Sequence, residues 1–252
     1  MKSRNCPVCE NNNNKEIFIK NNFNIVECQK CSHIFVLNPQ GDTSSPFPGN
    51  VNINAYKPRH KQILKFLNKY FQNHQKVKTA EIGSGVGHFG NLISKEDKHT
   101  YVGYELSKDR YEFTKANGLN VINDFFEESQ NTYDVIIMDN VLEHVENPSY
   151  LYEIASKSLK LGGVFIVIVP NKNDIRRFIP KWRNRHYWQP CCHINYFSFE
   201  NLNFLSQKNN MKLYDFDSST LEKDSSLFLK FKTFLDFIGI HIGGLYTYAI
   251  KQ

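Results

Sequence analysis

The feature that most restricts the fold is a glycine-dense loop, Glu81-Ile-Gly83-Ser-Gly85-Val-Gly87-His-Phe-Gly90, set directly after the strand-like run Val77 to Ile82. Glycines at this spacing let the backbone turn sharply and pass close to a ligand at the N-terminus of the following helix. Strand and helix patterns then alternate around it. Ile63, Leu67, Tyr70 and Phe71 recur at helical spacing over residues 60–71. Tyr101 to Glu105 reads as a strand, Ser107 to Asn117 as a helix stopped by Gly118, and Leu119 to Ile122 and Tyr133 to Asp139 as strands. Asn147-Pro148 is an N-cap followed by proline at the first helical position. It opens a helix through Leu151, Ile154, Ala155 and Leu159 that is expected to end at Gly162-Gly163, before the buried strand Val164 to Val169. Ser198 is expected to cap a helix through Leu202 and Leu205, with Met211 to Asp217 and Leu245 to Ala249 as closing strands. This rhythm predicts an α/β fold with a doubly wound parallel sheet, whose ligands bind at the carboxyl ends of the strands.

The first thirty-seven residues follow a different pattern. Cys6, Cys9, Cys28 and Cys31 form two Cys-x-x-Cys pairs, whereas Cys191 and Cys192 are adjacent and distant. Paired knuckles at this spacing match a small N-terminal zinc ribbon, because each short turn aims two thiolates at one tetrahedral ion. His33 is a spare ligand candidate. Asn11 to Asn14 and Asn21-Asn22 mark turns, with Ile17-Phe18-Ile19 and Ile34-Phe35-Val36 as short strands. The expected organisation is a zinc-ribbon module over 1–37, a Pro/Gly/Ser/Asn-rich linker over 38–59 that folds over a neighbouring site, and the α/β domain over 60–252.

Gly85-Val-Gly87-His-Phe-Gly90 satisfies the dinucleotide fingerprint, and Glu105 lies where a ribose-binding acid belongs. Electrostatics separates the two readings. Glu81 beside the loop would repel a pyrophosphate but suits an ammonium group, which S-adenosylmethionine brings without phosphate. With these residues the chain resembles the class I S-adenosylmethionine-dependent methyltransferases, from about residue 60 to 217, and the resemblance implies a Rossmann-like sheet. It places the methionine part of the cofactor at Glu81, Gly83, Gly85 and Gly87 and the ribose hydroxyls on Glu105. The adenine falls near Asp124 and its neighbour Phe125. Tyr133-Asp-Val-Ile-Ile-Met-Asp139-Asn140-Val-Leu-Glu143-His144-Val looks like the family's motif beside the cofactor, which brings in Asp139 and Asn140. Two readings stay open for single members: Asp124 as a turn cap, and His144 as a hydrogen-bonded helix-start residue.

Methyl transfer from a sulfonium needs alignment and exclusion of water, and a base only for acceptors that must lose a proton. His144, His193 and Tyr196 are the candidate catalytic groups, and Pro190-Cys-Cys-His193-Ile-Asn-Tyr196-Phe197-Ser198 resembles the segment bordering the acceptor pocket in related methyltransferases. The alternative for His193 is a residue that only braces its loop. Lys172 to Arg185 carries a local +5 within a chain of net +6, interleaved with aromatics. Arg176, Arg177, Arg183, Arg185 and Trp188 therefore suit a phosphate-bearing or sugar acceptor, the alternative being a solvated charge run.

A zinc ribbon joined to this domain resembles enzymes of sugar and cell-surface polysaccharide biosynthesis, including nucleotide-sugar C-methyltransferases. Those carry a further C-terminal domain, whereas only about thirty-five residues follow Asp217 here. The expected acceptor atom is accordingly an oxygen or nitrogen of a sugar, nucleotide-linked sugar or phosphorylated metabolite. Ribosomal RNA base methylation is the alternative, weakened by a ribbon of nearly balanced charge, and a non-catalytic module that retains the cofactor is a third reading.

At 40% hydrophobic and 22% charged residues, the chain is in the globular range, which excludes mainly disordered, collagen-like and helical-membrane classes. No apolar run follows the first charged residues, so a cytoplasmic location is expected. Thr233 to Ile250 is largely apolar but carries Asp236, His241 and three glycines. It reads as a core or interfacial segment that allows peripheral membrane contact, without a membrane span.

Overall fold

Val135 to Met138 and Val164 to Val169 are unbroken apolar runs, the pattern of strands covered on both faces. They lie parallel at the centre of the larger of two sheets. The computed structural model describes residues 4–40, 47, 49, 51–183, 187–216 and 243–252. The strands are β1 (Asn14–Lys20), β2 (Phe23–Cys28), β3 (Ile34–Val36), β4 (Val77–Ile82), β5 (His99–Tyr104), β6 (Val121–Ile122), β7 (Tyr133–Asp139), β8 (Leu159–Pro170), β9 (Asn195–Tyr196), β10 (Met211–Asp215) and β11 (Gly244–Lys251). The helices are α1 (Pro58–Tyr70), α2 (His88–Ile93), α3 (Lys108–Ala116), α4 (Pro148–Ser158), α5 (Pro180–Trp182) and α6 (Phe199–Lys208), with 3-10 turns at Leu142–His144 and Ile175–Phe178.

The large sheet runs β10-β11-β8-β7-β4-β5-β6. From β8 to β6 the pairs are parallel, as expected, whereas β11 is antiparallel to both β8 and β10. Its two faces bury different helices. Ile136, Met138, Phe165 and Val167 meet Tyr152 and Ala155 of α4 and Leu202 and Leu205 of α6 in one core. Val135, Ile137, Val164 and Ile166 meet Ile63 and Leu67 of α1 and Phe89 and Ile93 of α2 in the other. The alternation is the two-residue period of a strand, and each such side chain contributes about 1.5–3 kcal/mol by leaving water.

The helix caps follow the sequence. Asn147 accepts from the Tyr150 N–H, an interaction of about 1 kcal/mol, and Ser198 and Asn201 form a reciprocal capping box. One boundary is corrected: α4 stops at Ser158, short of Gly162-Gly163. The Ser158 hydroxyl turns back onto the Ile154 carbonyl and accepts the Ser129 N–H, and Leu159 is already extended. Leu159 to Gly163 therefore opens β8 instead, with a register shift opposite Tyr133–Val135 and a left-handed turn at Gly162.

The smaller sheet runs β1-β2-β3-β9, so a strand from the second half of the chain completes the ribbon. Of its strands, β2 and β9 were not anticipated. Arg4 ties the pieces together by donating to the carbonyls of Val36, Glu146 and Ile194. Within the expected linker, Pro58 and Arg59 open α1, and Ile53, Asn54 and Tyr56 are hydrogen-bonded to Asn91 of α2. Among the described residues no helix is long and apolar enough to cross a membrane. The part of the apolar segment from Gly244 onward lies in β11, and residues 217–242, with most of that segment, lie outside the described residues.

Candidate functional site

The carboxyl ends of β4, β5 and β6 form one half of the site. Gly83, Gly85 and Gly87 all have positive φ, at 68°, 58° and 77°. A Cβ at Gly87 would strike Leu119 and Thr114, whereas at Gly85 it would point into open space. The loop thus packs against the domain at one glycine and leaves room for a ligand at another. Glu105, 7% exposed, anchors the loop: its two carboxylate oxygens accept the N–H groups of Gly85 at 2.7 Å and Ser107 at 2.8 Å. Each oxygen keeps a further acceptor position, which matches two hydroxyl donors on a ribose. Leu106 and Phe125 stand 54% and 70% exposed at the ends of β5 and β6, an apolar border suited to a purine face. Leu106 was missed by the sequence reading. Asp124 is exposed and its carboxylate accepts the neighbouring Phe125 N–H.

Glu81 departs from the expectation of a carboxylate facing the ligand's ammonium. It is buried, it accepts the Tyr101 hydroxyl at 2.5 Å, and burial pushes its carboxyl up to about 8. At the end of β7, Asp139 is also already engaged. Arg59 grips it through Nε and Nη2 at 2.8–2.9 Å, and His60 Nε2 lies 3.2 Å away. Burial alone would raise the Asp139 carboxyl, but the His60 hydrogen bond and the Arg59 charge outweigh it and hold it below its ordinary value. Asn140, at φ 56°, donates to the same carboxylate. Neither Arg59 nor His60 was anticipated: they sit at a helix start eighty residues upstream, and no local spacing marks them.

The residues expected at the acceptor side form a second cluster. His144 lies in the turn after β7, donates through Nδ1 to the Cys192 carbonyl at 2.8 Å, and has its ring 5.0 Å from that of His193. Burial lowers both imidazoles, His193 to about 4, so both are neutral at pH 7. Beside them lies Glu143, 1% exposed, with burial pushing its carboxyl up to about 8. Tyr196 is buried, which raises its phenol. It lines a cleft of about 200 Å³ together with Arg59, Asn140, Lys172, Asp174, Arg176 and Tyr187.

The basic segment is more self-satisfied than its composition suggests. Arg176 forks onto Asp174, with its shortest contact 2.6 Å, and Arg177 donates to the Lys172 carbonyl and lies over Phe178. Arg183 is exposed, and Arg185 lies outside the described residues. The Trp188 ring packs edge-on to Phe18 of β1 at 4.9 Å and against Tyr196, alongside the ribbon's apolar cluster.

In the ribbon the sulfurs of Cys6 and Cys31 and of Cys9 and Cys28 are each 3.5 Å apart, and all four lie within 4.8 Å of one another. The Asn11 amide and the Lys30 N–H point at Cys28 Sγ, the outer hydrogen bonds that thiolate ligands accept. The donor set fits one tetrahedral zinc. His33 is not part of it: the imidazole is fully buried between Asn195 and Asn201, and burial lowers it to about 3.

A family model described as a methyltransferase domain matches residues 56–215. No curated protein sequence matches the chain. Among solved structures, YcgJ of Bacillus subtilis is similar over 77% of this chain and 99% of its own, at 14% identity and TM-score 0.56. An S-adenosylmethionine-dependent methyltransferase of Mesorhizobium loti covers 77% and 100%, at 14% identity and TM-score 0.54. Phosphoethanolamine N-methyltransferase 2 of Haemonchus contortus, solved with phosphomonomethylethanolamine and S-adenosylhomocysteine, covers 76% and 52%, at 16% identity and TM-score 0.52. At these identities the likeness is one of fold, and the family match over 56–215 adds the chemistry: the chain belongs to the methyltransferase-domain family and is an S-adenosylmethionine-dependent methyltransferase.

Proposed function

We propose that this enzyme methylates an oxygen or nitrogen of a small phosphate-bearing or sugar acceptor, in the chemistry of cell-surface polysaccharide precursors. The observation that supports the reading is the cleft of about 200 Å³ at the end of β8, whose walls set Tyr187 and Tyr196 beside Lys172, Asp174, Arg59 and Arg176, so that an acceptor anion would share the two guanidinium groups with the carboxylates they already hold. That volume suits a small metabolite, and the mixture suits an anionic group beside a sugar or other flat face. The phosphorylated amine bound to the Haemonchus enzyme is an acceptor of the same chemical kind.

Gly83, Gly85, Gly87 and Glu105 would hold the cofactor's amino acid and ribose, with Leu106 and Phe125 bordering the adenine. Bound S-adenosylmethionine supplies a methyl group whose departure leaves a neutral thioether. The chain's own task is on the acceptor side. Neutral His193 and His144 would serve as base or orienting group, taking a proton from a hydroxyl or fixing the lone pair of an amine. Cys6, Cys9, Cys28 and Cys31 would hold a structural zinc, since four thiolates leave no open position for water.

Transfer of labelled methyl to nucleotide sugars, to phosphorylated small amines and to total RNA tests the reading. Turnover of a small phosphorylated or sugar acceptor is the expected result. Labelling of RNA alone would overturn it.

A further inference from the structure

We propose that Glu143, His144 and His193 bind a divalent transition-metal ion at the acceptor end of the site, with coordination positions left open for the acceptor atom. One ligand atom from each of the three lies within 4.8 Å of the other two. Two imidazoles and one carboxylate suit zinc, ferrous iron or cobalt, whereas the harder magnesium prefers oxygen donors and water. Three protein ligands with positions to spare is the composition of a reactive centre, in contrast to the closed four-thiolate set of the ribbon.

Glu143 carries the argument. It is 1% exposed, and among the described residues neither of its carboxylate oxygens has a hydrogen-bond partner. A buried carboxyl without a hydrogen bond costs several kcal/mol, and native interiors keep such groups only for a reason. A cation between it and the imidazoles supplies one. His144 is already oriented for this: with Nδ1 donating to the Cys192 carbonyl, the Nε2 lone pair faces Glu143 Oε1 at 3.9 Å. A backbone carbonyl on the far nitrogen is the usual outer support of a metal-bound histidine. The two chain segments are locked together as well. Ile194 N–H donates to the Glu143 carbonyl at 2.9 Å, and Asn195 Nδ2 donates to the Val145 carbonyl at 2.7 Å. The three side chains thus meet on two chain segments that backbone and side-chain hydrogen bonds hold side by side.

The ion's role rests on the acceptor reading above, with the two imidazoles then acting through the ion and not as the base: coordination would lower the pKa of an acceptor hydroxyl and hold its oxygen in one direction. Its binding does not rest on that reading. The test is calorimetric titration of Co²⁺ into the full-length, zinc-replete protein with no acceptor present. One further equivalent should bind, about a hundredfold more weakly in Glu143→Gln and in His193→Ala, with S-adenosylhomocysteine affinity unchanged as proof of folding. Absence of a further equivalent in the wild type, or unchanged Co²⁺ affinity in folded Glu143→Gln, would overturn the proposal. Because the acceptor is absent, a failed acceptor screen beside a bound second equivalent would count only against the acceptor reading.

Discussion

The two halves of the proposed site, one for the cofactor and one for the acceptor, are built by different means. The cofactor half is made of consecutive backbone at strand ends: the positive-φ glycines, and a Glu105 carboxylate closed onto the loop twenty residues before it and the turn two residues after it. The acceptor half is assembled from segments far apart in sequence. Glu143 meets Ile194, His144 meets Cys192, and Ile194 in turn is held by Arg4 and by Val36 of the ribbon. A half encoded by local spacing tolerates loss of distant parts. A half encoded by long-range contacts inherits the stability of everything it leans on.

The largest expected effect follows from that asymmetry. Cys28→Ser should release zinc, unfold the ribbon and withdraw the β3 edge that pairs with β9. Displacing the His193 loop by an ångström is enough to lower turnover by about a hundredfold. Cofactor affinity should stay nearly constant, because the ribbon supplies none of the glycine-loop contacts. Turnover assay and calorimetry on the same preparation separate the two quantities, and a parallel loss of cofactor affinity would show that the halves are not independent.

Glu105→Ala is the converse experiment, with a smaller effect confined to the other half. Losing charge-assisted bonds to both ribose hydroxyls should weaken cofactor binding by about 2 to 4 kcal/mol, roughly thirty- to a thousandfold in Kd. The Co²⁺ site and ribbon zinc should be untouched, which metal analysis of the variant checks. Unchanged affinity would remove Glu105 from the cofactor site.

The same contrast explains what could be read from the sequence. The sheet, the caps at Asn147 and Ser198, and the cysteine knuckles are written in short-range spacing and composition. So is the glycine loop. The partners of His33, at Asn195 and Asn201, are not, and an imidazole two residues past a knuckle was open to reading as a spare ligand. Trp188 looked like a stacking surface because it sits among arginines, yet it packs on Phe18 from the opposite end of the chain. The Arg59–Asp139 clamp and β9 have no local signature either, since each depends on a pairing that only the folded topology creates. The pairings of the arginines are hidden for a related reason: charge composition does not say which carboxylate or carbonyl each cation serves, as Arg176 serves Asp174 and Arg177 the Lys172 carbonyl.

The smallest expected effect concerns the one residue of the cofactor half whose placement departs from its spacing. Glu81 begins the glycine motif, but its carboxylate turns to Tyr101 and away from solvent, and burial, with the nearby charges of Asp139 and Glu105, pushes it up to about 8. In the unfolded chain it has the ordinary value of 4.5, so between 4.5 and 8 the folded state holds a proton that the unfolded state has released. Stability contributed by that proton is present in full below 4.5 and is lost as the pH rises through 8. Glutamine keeps the size and an acceptor for the Tyr101 hydroxyl but cannot ionise. Denaturant titrations at mildly acidic and mildly alkaline pH should therefore show the wild type losing more stability on going alkaline than Glu81→Gln. Cofactor affinity at neutral pH should change by about threefold or less, under 1 kcal/mol, because the side chain points into the core. A loss of tenfold or more would mean that cofactor binding draws the carboxylate out to meet the ammonium, and the cofactor half would then contain a moving part that its backbone geometry conceals.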